Sequence, residues 1–136
     1  MIEENNILPT DVELQIRHEE RECVKKLLAI IDEKKAYDII AIDVADKTII
    51  ADWFIICSGS SILQVKAICD EICDKYPELG LNLRRKEGYN EGRWIVLDFG
   101  HILVHIFHPE EREYYNIERL WTDGATEVLR YPEKDQ

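Results

Sequence analysis

The spacing of hydrophobic and polar positions along the chain changes between a helical period and a strand period, and these changes mark the predicted elements. Apolar residues recur at helical spacing from Glu19 to Ala36 and from Ile62 to Tyr76, which predicts two amphipathic helices. Short apolar runs from Asp38 to Val44 and from Trp53 to Ser58 predict strands. The second run is almost continuously apolar, so we expect this strand inside a sheet.

Alternation with a period of two dominates the next stretch of the chain. Leu81 to Glu87 alternates and is polar enough for a half-exposed strand. The runs from Arg93 to Phe99 and from His101 to Phe107 are separated only by Gly100, which predicts a tight antiparallel hairpin. Its two-residue turn is either Phe99-Gly100 or Gly100-His101, and both alternatives leave the same residues on each face.

The order of these elements predicts the fold class. A further helical segment opens at Pro109 and continues through Ile117 and Trp121. Helix, two strands, helix, three strands and terminal helices make an α/β fold, a single domain with a mixed sheet of about five strands and helices packed on it. We place this domain at residues 18–122, between an N-terminal extension at residues 1–17 and a C-terminal tail at residues 123–136.

The two faces of the predicted hairpin differ in chemistry. One face is purely aliphatic and suits a core beneath helices: Ile95, Leu97, Ile102, Val104 and Ile106. The other face mixes apolar, aromatic and polar residues: Trp94, Val96, Asp98, Leu103, His105 and Phe107. This mixture is typical of a partner surface, and we predict a protein-binding site there at Trp94, Val96, Asp98, Leu103 and His105. In the alternative interpretation, another helix covers this face.

Composition narrows the classes of partner. The chain has 28 acidic and 17 basic residues and a formal charge of −11, so nucleic acid and anionic membranes would repel it while a basic protein would attract it. It contains no apolar run of membrane-spanning length, and the first residues lack the pattern of a secretory signal. We therefore expect a cytoplasmic protein with four reduced cysteines that binds neither DNA nor membranes.

A Gly-Ser turn raises the possibility of nucleotidyl transfer. Gly59-Ser60 lies between a predicted strand and a predicted helix, as in sites where backbone amides bind a phosphate. Such sites also need two carboxylates that converge on a metal ion, whereas Asp70 and Glu71 are adjacent on a helix and diverge by about 100°. The carboxylate half of such a site is therefore missing, and we expect Ser60 or Ser61 to cap the helix.

Histidines and cysteines also fail to form a recognisable site. His101 and His105 share a strand face but lie roughly 13 Å apart, too far for one zinc ion. Cys69 and Cys73 could approach each other on a helix, but their apolar neighbours indicate a buried stripe. We expect no metal, no cofactor and no enzymatic activity.

Several motifs, taken together, resemble one known family over roughly residues 20 to 122. They are Asp52-Trp53-Phe54, Ser58-Gly59-Ser60, Glu87-Gly88, Trp94-Ile95-Val96-Leu97-Asp98 with Gly100, Val104-His105-Ile106-Phe107 and Tyr115-Asn116-Ile117-Glu118-Arg119-Leu120-Trp121. With this pattern the chain resembles the ribosomal silencing factor family, also called Iojap-like. The extension and the tail lie outside the resemblance.

The resemblance implies a function. Members of this family have an α/β fold related to nucleotidyltransferases without known catalysis, so the resemblance implies a nucleotidyltransferase-like fold without a catalytic carboxylate pair. They bind the large ribosomal subunit through its fourteenth-named protein. They thereby block joining of the small subunit and repress translation. The family's docking surface includes a tryptophan and the residue two places beyond it, which correspond to Trp94 and Val96. Two other classes stay open: a nucleotidyltransferase-like enzyme acting on a small phosphate compound, and a domain that forms a homodimer in the free state through the same face.

Overall fold

A computed structural model describes residues 10–132 of the chain. The helices are α1 (Asp11–Glu33), α2 (Ile62–Lys75), α3 (Pro109–Tyr115) and α4 (Ile117–Thr122). The strands are β1 (Tyr37–Asp43), β2 (Trp53–Ser58), β3 (Arg85–Glu87), β4 (Trp94–Asp98), β5 (Ile102–Phe107) and β6 (Val128–Tyr131), and a 3-10 turn at Tyr76–Leu79 follows α2. Among these residues, no helix combines the length and the apolarity needed to cross a bilayer.

All strands form one sheet in the order β3-β4-β5-β2-β1-β6. The central pair, β2 and β5, is parallel, and the other four neighbouring pairs are antiparallel. The predicted α/β fold with a mixed sheet is therefore confirmed, with six strands where about five were expected. Every residue of β2 is buried, as its continuous apolar sequence indicated.

Helix α1 begins earlier than the predicted start at Glu19. Thr10 accepts a hydrogen bond at Oγ1 from the Glu13 amide (3.0 Å), and the Thr10 amide donates to Glu13 Oε1 (2.8 Å). This reciprocal capping box satisfies two amides at the start of the helix, so α1 begins at Asp11 although its first two turns contribute nothing buried. The helix runs without interruption through the boundary drawn between residues 17 and 18; residues 1–9 of the predicted extension lie outside the described residues.

The segment predicted as a tail contributes an edge strand. β6 pairs antiparallel with β1, from Ile42 opposite Val128 to Ile39 opposite Tyr131. An ion pair between Arg21 and Glu127 (2.6 Å) connects the start of this strand to α1. Pairing with β1 decides the conformation here, because a four-residue strand carries too short a pattern to be recognised alone. Residues 133–136 of the predicted tail lie outside the described residues.

Helices α1 and α2 cover most of one face of the sheet. Their buried side chains are Val24, Leu27, Leu28, Ile31, Val65, Ile68, Cys69 and Ile72. They pack against inward-facing residues of β1, β2, β4 and β5 in the larger of two hydrophobic clusters. The smaller cluster lies on the opposite face, beneath the short helices α3 and α4. The sheet thus has one face that is covered except at its edge strands and one face that is covered only in part.

Candidate protein-binding surface

Strands β4 and β5 form the predicted hairpin, with Trp94 opposite Phe107 and Asp98 opposite Leu103. The Phe99 amide donates to the Ile102 carbonyl (2.9 Å), which leaves Gly100 and His101 as the two turn residues. Gly100 has φ +92°, a conformation that glycine adopts without strain. The second of the two predicted turns is therefore the one formed.

The pairing places all five predicted site residues on the same face of the sheet. Trp94, Val96, Asp98 and Leu103 are half-buried, whereas His105 is only 7% exposed and Phe107 is fully buried. The aliphatic residues of the hairpin lie on the other face and are at most 1% exposed. The predicted division of the hairpin into two chemically different faces is confirmed.

Trp94 is held by three ring contacts. Its indole stacks on Phe107 with centroids 4.8 Å apart and packs against Tyr115 at 4.9 Å. Its Nε1 donates a hydrogen bond to Nδ1 of His105 (3.2 Å). A large aromatic side chain fixed before binding loses little conformational entropy on docking, so Trp94 is a pre-organised anchor.

His105 acts below the surface rather than on it. Burial lowers its pKa to about 4, so the ring is neutral near pH 7. Since Nδ1 accepts from Trp94, we assign the proton of the neutral ring to Nε2. That atom is buried and has no hydrogen-bond partner in the described part of the chain. The side chain predicted to touch a partner instead orients Trp94 from below.

Helices α3 and α4 cover only one half of this face. Trp121 packs edge-on against Phe54, with centroids 5.0 Å apart, and Ile117 joins the same cluster. Arg112 bonds the Ser58 hydroxyl (2.9 Å) and the Glu118 carboxylate (2.6 Å), which connects α3 to the central strand and to α4. The alternative in which another helix covers the hairpin face is therefore correct only in part, because His105 and Phe107 are buried whereas the other residues of that face are half-buried.

The other half, above β4 and the start of β5, is open. We call it the open half and define it as Trp94, Val96, Asp98 and Leu103. It borders the edge strand β3, whose three residues are all exposed and pair with β4, Arg85 opposite Asp98 and Glu87 opposite Val96. Asp98 Oδ1 accepts from the Gly100 amide (2.8 Å), so one of its oxygens stabilises the hairpin turn.

Two exposed tyrosines adjoin the open half and were missed by the sequence analysis. Tyr115, 51% exposed, contacts Trp94, and Tyr114, 81% exposed, packs edge-on against Tyr115. Arg93 bonds Glu110 (2.7 Å) and Glu111, which fixes α3 and its tyrosines beside β4. The available signal was a Tyr-Tyr pair directly before Asn116, where a left-handed residue (φ +45°) ends α3.

The Gly-Ser turn serves as a helix cap. Ser61 Oγ accepts from the Gln64 amide (3.1 Å), so Ser61 is the cap of the two serines considered. The Ser60 amide donates to Gln64 Oε1 (2.6 Å), and Gln64 Nε2 in turn donates to the carbonyls of Lys34 and Lys35. These bonds occupy the Ser60 amide that a phosphate would need and connect α2 to the end of α1.

The carboxylates and histidines considered for catalysis or metal binding are dispersed. Asp70 accepts from the Tyr89 hydroxyl (2.9 Å), whereas Glu71 pairs with Lys75 (2.8 Å), so the two point to different partners as expected. His108 caps α3 by accepting from the Glu110 amide, while His101 is 75% exposed at the hairpin turn.

The fold and this face define an α/β domain that carries a half-open aromatic surface on one side of a mixed sheet. The family model described as "Ribosomal silencing factor during starvation" matches residues 17–136. The chain belongs to this family of ribosomal silencing factors, which act in translation regulation. The resemblance seen in the motifs is confirmed, and the match also includes the segment predicted as a tail.

Individual proteins support the assignment. The chain is 43% identical over 112 residues to the ribosomal silencing factor RsfS of Bacillus subtilis, a match that covers 82% of this chain and 95% of that protein. It is 30% identical to the mouse protein named "Mitochondrial assembly of ribosomal large subunit protein 1", over 73% of this chain and 45% of that one. A crystal structure from Bacillus halodurans superposes with a TM-score of 0.68 at 37% identity, covering 79% of this chain and 98% of that one.

Proposed function

We propose that this chain is a cytoplasmic, non-enzymatic translational repressor that binds the large ribosomal subunit through its fourteenth-named protein and blocks joining of the small subunit. Family membership supports the ribosomal role. The name of the mouse relative, which refers to the large subunit, supports the choice of subunit. The single observation that carries the proposal is the open half of the sheet, where Trp94 is fixed in place but not covered.

Charge supports contact with a ribosomal protein rather than with ribosomal RNA. At −11, the chain is repelled by phosphates and attracted over long range by basic protein surfaces. Close approach then depends on apolar contacts, which Trp94, Val96 and Leu103 supply. Glu87 and Glu110 are exposed near the edges of this face but pair with Arg85 (3.3 Å) and Arg93 (2.7 Å), so the long-range attraction comes from the net charge of the whole chain. Such attraction raises the rate of encounter with a basic partner more than it raises affinity.

The enzymatic alternative has one observation in its favour. A cavity of about 320 Å³ lies at the C-terminal end of β2 and is lined in part by Ser58, Arg112 and Glu118. Arg112 is the basic group that would contact a phosphate there, but Glu118 and Ser58 already take its hydrogen bonds. Thermal stabilisation of the protein by a Mg²⁺-nucleotide would favour an enzyme, whereas its absence together with ribosome binding would favour the repressor.

Co-sedimentation with separated ribosomal subunits tests the proposal. We expect the purified protein to pellet with large subunits and to stay in the supernatant with small subunits. Equal pelleting with both subunits, or with naked ribosomal RNA, would contradict it. Analytical ultracentrifugation of the free protein measures its molecular mass and so its oligomeric state. A stable dimer that dissociates on subunit binding would mean that the open half also serves self-association.

A further inference from the structure

Three polar side chains from three separate elements meet at the hairpin turn, away from the open half. Glu20 comes from α1, Asp52 precedes β2, and His101 lies in the turn between β4 and β5. His101 Nδ1 is 3.5 Å from Glu20 Oε2 and 3.5 Å from Asp52 Oδ2. One imidazole nitrogen and two carboxylate oxygens therefore lie within 4.8 Å of one another.

This spacing matches one face of a tetrahedral ligand shell. With metal–ligand bonds of about 2.1 Å, neighbouring donor atoms in a tetrahedral zinc site lie about 3.4 Å apart. Both distances from His101 Nδ1 are close to that value. The donor set of one imidazole and two carboxylates is of the kind that Zn²⁺ and similar divalent transition metals accept, whereas Mg²⁺ prefers oxygen ligands alone.

The backbone holds two of the three ligands in register. The amides of Asp52 (2.8 Å) and Trp53 (3.0 Å) both donate to the His101 carbonyl. These bonds join the loop before β2 to the hairpin turn, so the side chains of Asp52 and His101 start from fixed positions. Helix α1 packs on the same sheet and supplies Glu20 from a rigid element. A site built on rigid elements costs little ordering when a metal binds.

Glu20 provides an independent indication of a ligand. Its side chain is only 10% exposed, and Arg17 contacts one of its oxygens, Oε1, at 3.3 Å. The other oxygen, Oε2, faces His101 Nδ1 at 3.5 Å, and the Asp52 carboxyl lies within hydrogen-bond reach of the same side chain. A carboxylate oxygen this deeply placed ordinarily has a donor or a cation beside it.

Arg17 is the only cationic side chain paired with these acids among the described residues, and its main partner is elsewhere. Its guanidinium is 2.7 Å from Asp43 Oδ2, 3.3 Å from Glu20 and 4.0 Å from Asp52. Three carboxylates thus share one guanidinium. Burial and the neighbouring Asp52 carboxyl raise the pKa of Glu20 to about 7, so Glu20 and Asp52 compete for one proton or one cation at the point where the ligand atoms converge. Arg17 can keep its short bond to Asp43 while a divalent ion occupies the position next to His101.

We propose that Glu20, Asp52 and His101 form a binding site for one divalent transition-metal ion of the zinc class, with water completing its shell. The ion would fasten the hairpin turn to α1 and thereby stabilise the fold. A second group of potential ligands, His108, Glu110 and Glu111, does not compete for this assignment. There Arg93 pairs with both carboxylates and His108 Nδ1 accepts from the Glu110 amide, so a metal ion would have to displace both interactions, even though Glu111 Oε1 is buried without a hydrogen-bond partner among the described residues.

Titration of the tag-free, chelator-treated protein with ZnCl2 tests the site by calorimetry. We expect one Zn²⁺ per chain and a rise in the unfolding temperature. Each of Glu20→Gln, Asp52→Asn and His101→Gln should weaken binding at least about tenfold. The matched control is His18→Gln, because His18 lies on α1 but lines a separate surface depression with Glu22 and Lys26. Cys73→Ser controls for zinc binding by a partly exposed thiol and should leave the affinity unchanged.

Several results would overturn the proposal. The site is contradicted if the wild type binds no zinc or binds it in a ratio other than one to one, or if all three ligand variants bind Zn²⁺ as tightly as the wild type does. Loss of zinc binding in Cys73→Ser would also contradict the site, and so would wild-type binding of Mg²⁺ as tight as that of Zn²⁺. The unfolding temperature of each variant without metal shows whether it is folded. Loss of ribosome binding with zinc affinity intact would count against the proposed function alone, since the two sites share no residue.

Discussion

The two faces of the β4–β5 hairpin come from the same strands but differ in composition and in burial. On one face every side chain is aliphatic and buried beneath α1 and α2. On the other, His105 and Phe107 are buried, but Trp94, Val96, Asp98 and Leu103 stay half-buried because α3 and α4 pack mainly above β2. A stability requirement alone would favour covering both faces, because burying apolar area stabilises the fold. The incomplete second face is therefore the place to look for a binding partner.

The largest expected effect is a difference in stability between substitutions at two neighbouring residues of β4. Ile95→Lys places a charge in a fully buried position, and we expect a loss of about 4 kcal/mol or more in the free energy of unfolding. Val96→Lys points to the open half, where Glu87 on β3 lies directly opposite, so it should cost less than about 1 kcal/mol. Chemical denaturation of the two variants measures the difference. Equal destabilisation would contradict the assignment of faces.

The buried histidine predicts a pH dependence of stability. The pKa of His105 is lowered to about 4 in the fold, against an ordinary value of 6.5 in the unfolded chain, so the unfolded state binds the proton more readily. The contribution to stability is complete above pH 6.5 and is lost as the pH falls towards 4, by about 3 kcal/mol.

The control for this prediction is His105→Gln, which stays neutral and can still accept from Trp94. Denaturation curves between pH 7 and 4 should fall less steeply for this variant, whereas His18→Gln, at an exposed position, should follow the wild type. Identical slopes for His105→Gln and the wild type would mean that His105 is not buried as a neutral ring.

Two tryptophans on the second face should separate binding from stability. Trp94→Ala removes the anchor of the open half and should weaken ribosome binding by about 2 kcal/mol, or roughly thirtyfold. Trp121→Ala, in the covered half, should lower the unfolding free energy but leave the affinity of the folded protein unchanged. Fractions bound in co-sedimentation, corrected for the folded fraction, measure both. If Trp121→Ala weakened ribosome binding and Trp94→Ala did not, the docking surface would lie on α3 and α4.

The smallest expected effect concerns the Gly-Ser turn. Ser61→Ala removes the cap of α2 and should cost about 1 kcal/mol of stability, with ribosome binding intact. Ser60→Ala keeps its backbone bond to Gln64 and should cost less than about 0.5 kcal/mol. Thermal unfolding of both variants gives the comparison. Impaired ribosome binding by Ser61→Ala at unchanged stability would instead assign the turn to the interface.

Features of the fold and the binding surface could be predicted from the sequence where local pattern determines them, but not where contacts between distant elements do. The faces of the hairpin followed from period-two alternation, which pairing preserves whichever turn forms. The strand at Val128–Tyr131 was missed, because pairing with a distant strand leaves little hydrophobic pattern in the strand itself. The burial of His105 depends on where α3 and α4 pack, and the meeting of Glu20, Asp52 and His101 depends on three separate elements. Neither is visible in local sequence.

Subunit joining, followed by light scattering on mixing large and small subunits, tests the open half as the docking surface most directly. The wild type should suppress joining. Val96→Lys should stay folded and fail to suppress it, because the added charge must be desolvated and is repelled by a basic partner. The matched control is Ile49→Lys, at a fully exposed aliphatic position outside this face, which should suppress joining like the wild type. If folded Val96→Lys suppresses joining as strongly as the wild type, the open half is not the surface that contacts the ribosome.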